Sequence, residues 1–462
     1  MASSNFGMKG FTLETKKFYL LSIFFGAIML MVPAMINNFP FLYVDSGTYL
    51  GNGFSNSVSW VRPLLYGLFI RHISLEESLW LVIFVQALIV SWTINRFILT
   101  FFPSAHAFFS ILVLAILVFT SGIGLTTGML MPDFLTPVLI LLTGIIFFSE
   151  RPSIKSFVLP CIVLWFAVAC HHSHPYILFC IWFGVGIIHL LLKLRKRRLM
   201  AWQRLVLVAF IGILGYFTIP YLQYSRTGEF LSSKSTNVFL VGRMNQMGLL
   251  QPFLEDYCEQ GRGPYLLCAY KGQLPIDFLW SEDSPVHKDG GWNVNNERYK
   301  KVVAGFFSDP LYAKKFIIKS FETVIQQFFS FDLVVITQQK RGEFLHDMFK
   351  LVWPEYIPAI ENAMQYKEQW SNKIVNPTQK IFVFSCFLIL LYLFLYQDKY
   401  SLNSRYRNLF LLVFLGLLAN AFICGCISMV DPRFQSRVIW LLPFYTMLLL
   451  YHLKVEQQKM EQ

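Results

Sequence analysis

The chain has 462 residues, of which 55% are hydrophobic, 17% aromatic and only 14% charged, and its mean hydropathy is +0.51; soluble domains carry roughly 25% charged residues. This composition excludes an ordinary soluble enzyme and points to an integral membrane protein. A formal net charge of +12 comes without a stripe of interleaved basic and aromatic residues, which argues against nucleic acid as a partner.

The first apolar run, 18–36, is longer than the roughly 7 to 15 apolar residues of a signal peptide and ends in Asn-Asn-Phe-Pro, so it reads as a retained spanning helix. Further runs near the roughly 20 residues a crossing needs fall at 78–100, 105–122, 133–149, 156–171, 175–192, 204–222, 378–396, 408–429 and 437–453. They predict an all-α polytopic protein of about ten transmembrane helices, of which those at 105–122, 133–149 and 156–171 are short or closely spaced. With ten crossings, every basic cluster falls on one side. These are Lys9, Lys16 and Lys17; Arg151 and Lys155; Lys193, Arg195, Lys196, Arg197, Arg198 and Arg204; and Lys399, Arg405 and Arg407. That side is expected to be cytoplasmic, with both termini on it. The chain then divides into an N-terminal transmembrane region (1–222) with an outer loop at 39–77, a polar insert (223–377) and a C-terminal transmembrane region (378–462).

The outer loop, "NNFPFLYVDSGTYLGNGF", holds one charge, Asp45. A carboxylate near the hydrocarbon boundary costs several kcal/mol if it is desolvated without a partner. Two readings stand: a general base positioned at the boundary, or the N-cap of the following helix. Next, "SWVRPLLYGLFIRHIS" is too short and too charged to span and reads as an interfacial helix bearing Arg62 and Arg71. Asp133, in "GMLMPDFLTP", opens a later span on the same face, as a working acid or as a helix-start residue. "CHHSHPY" places His171, His172 and His174 there too, with phosphate contact, metal binding and interfacial packing as alternatives. Near the end, "MVDPRFQSR" sets Arg433 and Arg437 four residues apart on one helical face. Paired guanidiniums suit a phosphate or diphosphate, or they snorkel to lipid headgroups.

The insert reads as mostly helical, lying against the outer membrane face. It contains "YCEQGRGPYLLC", in which Cys258 and Cys268 are candidates for a disulfide if that compartment is oxidising, or else two buried thiols. The turn "SEDSPVHKDGG", with Glu282, Asp283, His287 and Asp289, could hold a divalent ion, although a solvated turn is the simpler reading.

The order of these features, from the acid in the first outer loop through "RPLLYGLF" and "MPDFL" to the terminal "DPRFQSRVIWLLPF", resembles the GT-C superfamily of integral membrane glycosyltransferases that use polyprenyl-phosphate-linked sugars. The likeness covers about 18–230 and 378–453, not the insert. It implies a GT-C-like helical core with Asp45 as the base and Asp133 in a supporting acidic role. Arg433 and Arg437, with Arg62 and His174 as further candidates, would bind the lipid phosphate. Many relatives carry adjacent acids in the first loop, whereas Ser46 follows Asp45 here. The expectation is therefore an inverting transfer that needs no metal cofactor, with a divalent metal left open.

The expected partners are a polyprenyl-phosphate sugar donor and a lipid, glycan or protein acceptor. Two other readings are transfer of an acyl or phosphoryl group and a flippase or transporter of lipid-linked glycans. An acyltransferase would want a His base within a helix, and His106 and His189 fall on the cytoplasmic side. A transporter commonly shows internal repeats, and none is visible. No permitted Asn-x-Ser/Thr acceptor lies on the outer face, which favours a bacterial inner membrane and a role in the cell envelope.

Overall fold

The computed structural model describes residues 13–55, 59–150, 153–196, 199–261, 265–335, 338–397, 400 and 402–461. Lys9, Arg151, Arg197, Arg198 and Lys399, assigned above to the basic side, lie outside the described residues, as do 262–264 in the middle of the Gly-rich turn. Among the described residues all regular structure is helical apart from one isolated bridge, Phe41 to Met129.

The helices are α1 (Leu13–Ile36), α2 (Val44–Phe54), α3 (Leu64–Ser74), α4 (Leu79–Phe101), α5 (Ala107–Thr120), α6 (Ile123–Thr127), α7 (Leu135–Phe148), α8 (Ile154–Cys170), α9 (Ser173–Leu194) and α10 (Trp202–Thr227). The insert then forms α11 (Thr236–Gln246), α12 (Leu250–Glu259), α13 (Pro285–Lys288), α14 (Gly291–Ser308), α15 (Pro310–Phe329), α16 (Gln338–Val352) and α17 (Ile357–Asn362). The chain closes with α18 (Val375–Leu395), α19 (Ser404–Ile427), α20 (Pro432–Ile439) and α21 (Leu441–Glu461).

Seven helices are long and apolar enough to cross a membrane: α1, α4, α9, α10, α18, α19 and the α20–α21 pair. α5, α8 and the helix Pro132–Phe148 are apolar but shorter, at 17 residues or fewer. Burial sorts them by position. α7 is buried along its whole length and so forms the centre of the bundle. α9 and α10 turn large aromatics outward, among them Phe179, Phe183, Phe210 and Phe217, as a helix facing hydrocarbon does.

The two ends of the bundle differ. At one end Arg405 donates to the Thr100 carbonyl (2.6 Å) and lies 3.6 Å from Glu150, Arg204 donates to the Phe147 carbonyl (2.7 Å), and Tyr451 donates to the Ser104 carbonyl (3.2 Å). The helix ends rich in Lys and Arg therefore gather together, and at the opposite end stand α2, α3, α20 and the insert.

The insert is split between two cores. Val238 to Tyr312 build their own apolar cluster around Phe253, Leu254 and Phe306. Phe331, Leu345, Phe349, Trp353 and Ile360 instead belong to the core of the bundle. Cys258 and Cys268 form a disulfide within the first part, with Cα atoms 5.8 Å apart.

α2 and α3 cross at a pair of glycines. A Cβ on Gly53 would lie 2.3 Å from the Gly67 carbonyl oxygen, and one on Gly67 would lie 2.6 Å from the Tyr49 carbonyl oxygen. Both obstacles are backbone, so the helices must separate to admit a methyl group. Gly67→Ala is expected to destabilise the protein by about 1–3 kcal/mol, read as a lowered thermal midpoint in detergent. Gly186→Ala, where a Cβ meets nothing within 4 Å, serves as the neutral comparator.

Candidate functional site

The first outer loop owes its place to pairings with distant segments. Phe41 N–H donates to the Gly128 carbonyl, Leu130 N–H donates to the Phe41 carbonyl (2.9 Å each), and Ser46 Oγ donates to the Leu130 carbonyl (2.9 Å). On the other side Gln365 mimics a backbone partner: its amide donates to the Leu42 carbonyl (2.7 Å) and its oxygen accepts from Leu42 N–H (3.0 Å). The segment carrying Asp133 is held in turn by Gln86 of α4, which donates to the Thr127 and Met129 carbonyls (2.8 and 3.0 Å) and accepts from the Tyr66 hydroxyl. The loops bearing the two acids are thus zipped to each other.

Asp45 occupies the first turn of α2, whose N-cap is Tyr43; the N-cap reading of Asp45 is therefore corrected. Its side chain is about nine-tenths buried and bridges two cations. Oδ1 lies 2.8 Å from Arg62 Nη2, and Oδ2 lies 3.4 Å from Arg433 Nη1. Arg62 comes from the stretch before α3, which Asn52 holds against α2 by accepting from Ser59 N–H (2.8 Å) and donating to the Arg62 carbonyl (3.2 Å). Burial alone would lower the pKa of Arg62, but Asp45 and Tyr49 beside it carry it above its ordinary value.

Arg433 and Arg437 project from α20, which Asp431 caps by accepting from Arg433 N–H (2.8 Å). The Arg433 guanidinium carbon stands 3.9 Å from the Tyr43 ring centroid, a cation–π contact of the kind strengthened by desolvation. Burial pushes the Tyr43 phenol up to about 12 against the pull of Arg433, so the platform stays neutral. Arg437 is fully buried. Its Nη1 meets Asp133 Oδ1 at 2.9 Å, and the Asn420 side-chain oxygen, Oδ1, accepts from its Nε (3.3 Å) and Nη2 (2.9 Å). Neither arginine snorkels toward the surface.

The histidines hold different posts. His174 is fully buried and uses both ring nitrogens internally, Nδ1 donating to the Ala167 carbonyl (2.6 Å) and Nε2 facing Thr136 Oγ1 (2.8 Å). It orients α7 against α8 and has no nitrogen left for a ligand. His171 accepts from Ser173 N–H (3.1 Å). His172 Nε2 is buried without a partner, and burial, then the charge of Arg62, hold its pKa down at about 3. Of the three, His172 is the one with a buried ring nitrogen left unpartnered, which sequence reasoning did not distinguish.

Three guanidiniums therefore face Asp45 and Asp133, with Asp431 committed to its cap. Asp133 Oδ2, Arg62 Nε, Arg433 Nε and the Tyr49 hydroxyl are buried without partners, so the cluster retains capacity for a polar ligand. Among the described residues no group of three or more His, Cys, Asp or Glu is placed to hold a metal ion. The donor set, carboxylates each already facing a cation, suits an exchange of anions. Sequence reasoning missed Tyr43, Asn420 and Gln365, whose roles depend on partners far away in the chain.

Removing one member of the buried Asp133–Arg437 pair leaves the other charge unmatched. Asp133→Leu is expected to cost about 3–5 kcal/mol, measured as a drop in thermal midpoint. The double variant Asp133→Leu with Arg437→Met should recover most of that loss. The chain matches no family model, no curated protein and no solved structure.

Proposed function

We propose that the protein is a membrane glycosyltransferase of the GT-C type, moving a sugar from a polyprenyl-phosphate-linked donor to a lipid, glycan or protein acceptor on the face where α2 and α20 meet. The observation that carries this reading is the sharing of Asp45 between Arg62 and Arg433 at one end of an apolar helical bundle. In the resting protein the carboxylate neutralises the two groups best suited to a phosphate. The donor phosphate takes Arg433 and Arg62 through charge-assisted bonds, and Asp45 is released from them. A carboxylate relieved of two cations is the stronger base, and it accepts the proton of the acceptor hydroxyl. The hydroxyl oxygen bonds to the anomeric carbon as the bond from that carbon to the phosphate oxygen breaks. The electron pair departs with the polyprenyl phosphate, whose charge the guanidiniums stabilise. The chemistry is written with this chain's residues alone; loss of activity on chelation would add a divalent ion to it.

In this reading α5, Pro132–Phe148 and α8 cross the membrane together with the seven longer helices. α5 and α6 follow one another with only Ser121 and Gly122 between them, and all three short helices run between the two ends defined above. Ten crossings then put the basic end in the cytoplasm and the site in the periplasm of a bacterial cell.

The test is donor turnover by the purified protein in proteoliposomes. Asp45→Asn should lower the rate by about 10²–10⁴-fold while donor binding persists, and Arg433→Ala should weaken donor binding. Unchanged lipid-linked glycan composition in a strain carrying Asp45→Asn, together with glycan translocation that depends on the protein, would overturn transfer in favour of transport.

A further inference from the structure

The sequence places the whole insert outside the hydrocarbon, yet α15 departs from the rest of it. Its inner face buries Tyr312, Thr323 and Gln327. Its outer face leaves Ile317, Ile318, Phe321, Ile325 and Phe329 each at least half exposed. Such a stripe does not by itself say what covers it.

Depth identifies the occupant. The Phe329 ring stacks on Phe384 with centroids 6.4 Å apart and planes 13° from parallel. Phe384 lies nine residues into α18, which at 1.5 Å per residue is about 14 Å from that helix's outer end. Phe328 meets Phe414 at 6.1 Å, and Phe414 is thirteen residues, about 20 Å, from the outer end of α19. Both partners sit on helices apolar enough to cross a membrane. Phe384 is itself 46% exposed, so the stripe on α15 runs on into the outward face of α18.

The return of the chain supplies a second, independent sign. Residues 330–335 have no regular structure, and side chains of neighbouring segments meet the backbone of Phe331 and Leu333. Gln379 donates to the Phe331 carbonyl (2.6 Å), Asn376 accepts from Leu333 N–H (2.7 Å), and Asn372 donates to the Leu333 carbonyl (2.9 Å). These partners lie within four residues of the outer end of α18, so the chain climbs from Phe329 back to the boundary, where backbone leaving a helix beside the hydrocarbon needs protein partners of this kind.

We propose that α15 is a re-entrant helix whose outward face contacts the acyl chains of the leaflet on the Asp45 side. From Ile317 to Phe329 is about 18 Å along the axis, close to the roughly 15 Å of hydrocarbon in one leaflet. Lys314 and Lys315 then reach headgroup level, and Lys319 is paired with Glu322 at 2.6 Å. The opposite face reaches the candidate site: the Gln327 side chain donates to the Asp431 carbonyl and accepts from Asp431 N–H, at 2.9 Å each. Asp431 caps the helix that carries Arg433, so α15 walls the arginine helix off from lipid. The inference stands whether or not the protein transfers sugars.

The experiment uses the unmodified protein in phosphatidylcholine vesicles. One preparation carries a phospholipid with a photoactivatable diazirine deep in its acyl chain, a second carries one at the headgroup, and adducts are mapped by mass spectrometry. The acyl probe should modify 317–329 to within about twofold of 381–391 in α18, because both occupy the hydrocarbon layer, and should leave the exposed loop around Ile276 unmodified. Labelling of 317–329 by the acyl probe no stronger than at Ile276 overturns the proposal. Labelling of 317–329 by the headgroup probe alone also overturns it, by placing the helix flat on the surface.

Discussion

Asp45, Arg62 and Arg433 come from three segments of the chain, and the carboxylate between the two guanidiniums is where the outer end of the bundle closes. A buried charge without a partner is expensive, so each of these groups constrains the other two. Arg433 stands 388 positions from Asp45 in the chain, and its approach sets how α20 lies over α2. Tyr43, two positions before the acid, adds a face for the same guanidinium. The loop therefore carries both the acid and the platform for one of its partners.

Beneath this solvent-near bridge lies a drier one. Asp133 and Arg437 are both fully buried, and Asn420 closes the fork of the guanidinium from the other side. Double coordination of this kind fixes the plane of the arginine, which a lone carboxylate at one nitrogen does not. The Asn420 amide in turn donates to the Phe434 carbonyl (2.7 Å) and to the Gln435 side-chain oxygen (2.9 Å), so α19 holds α20 in register. The two ion pairs differ in what they permit. The inner one is locked by a third group, whereas the outer one has a 3.4 Å contact and unpartnered Nε atoms on both arginines.

The membrane-type composition, the helical class and the position of each long apolar helix could be read from the chain, because hydrophobic runs are a local signal. Asp45, Asp133, Arg62, Arg433 and Arg437 also stood out, since charges are rare in such a composition, and the structure brings these five into one cluster. Sequence had no means of pairing them. Which acid meets which arginine depends on helix packing, and that left an N-cap or a snorkelling reading standing for residues that turn out to be buried and paired. The histidines show the same limit: three within four positions are equivalent on paper, yet the turn between α8 and α9 commits His174 to Ala167 and Thr136 and leaves His172 Nε2 buried without a partner. The insert read as one polar block because its mean composition hides two separate cores and the penetrating face of α15.

One residue type recurs where irregular backbone approaches the apolar core. Gln86 serves the Thr127–Met129 turn, Gln365 the Leu42 position, Gln379 the Phe331 and Gly122 positions, and Gln327 the residue before α20. A primary amide offers two N–H donors and an acceptor oxygen in one plane, so Gln365 and Gln327 each pair with the N–H and C=O of a single residue, and Gln86 and Gln379 join two. Placed on a rigid helix or strap, it replaces the strand partner that an extended segment would otherwise require. These loops can therefore leave helical geometry at the boundary of an apolar bundle with the backbone groups named above paired. Such glutamines look like ordinary polar residues in the sequence, since Gln365 and Leu42 are 323 positions apart. Their effect is to make the outer loop, the Asp133 turn and the arginine helix a single braced assembly.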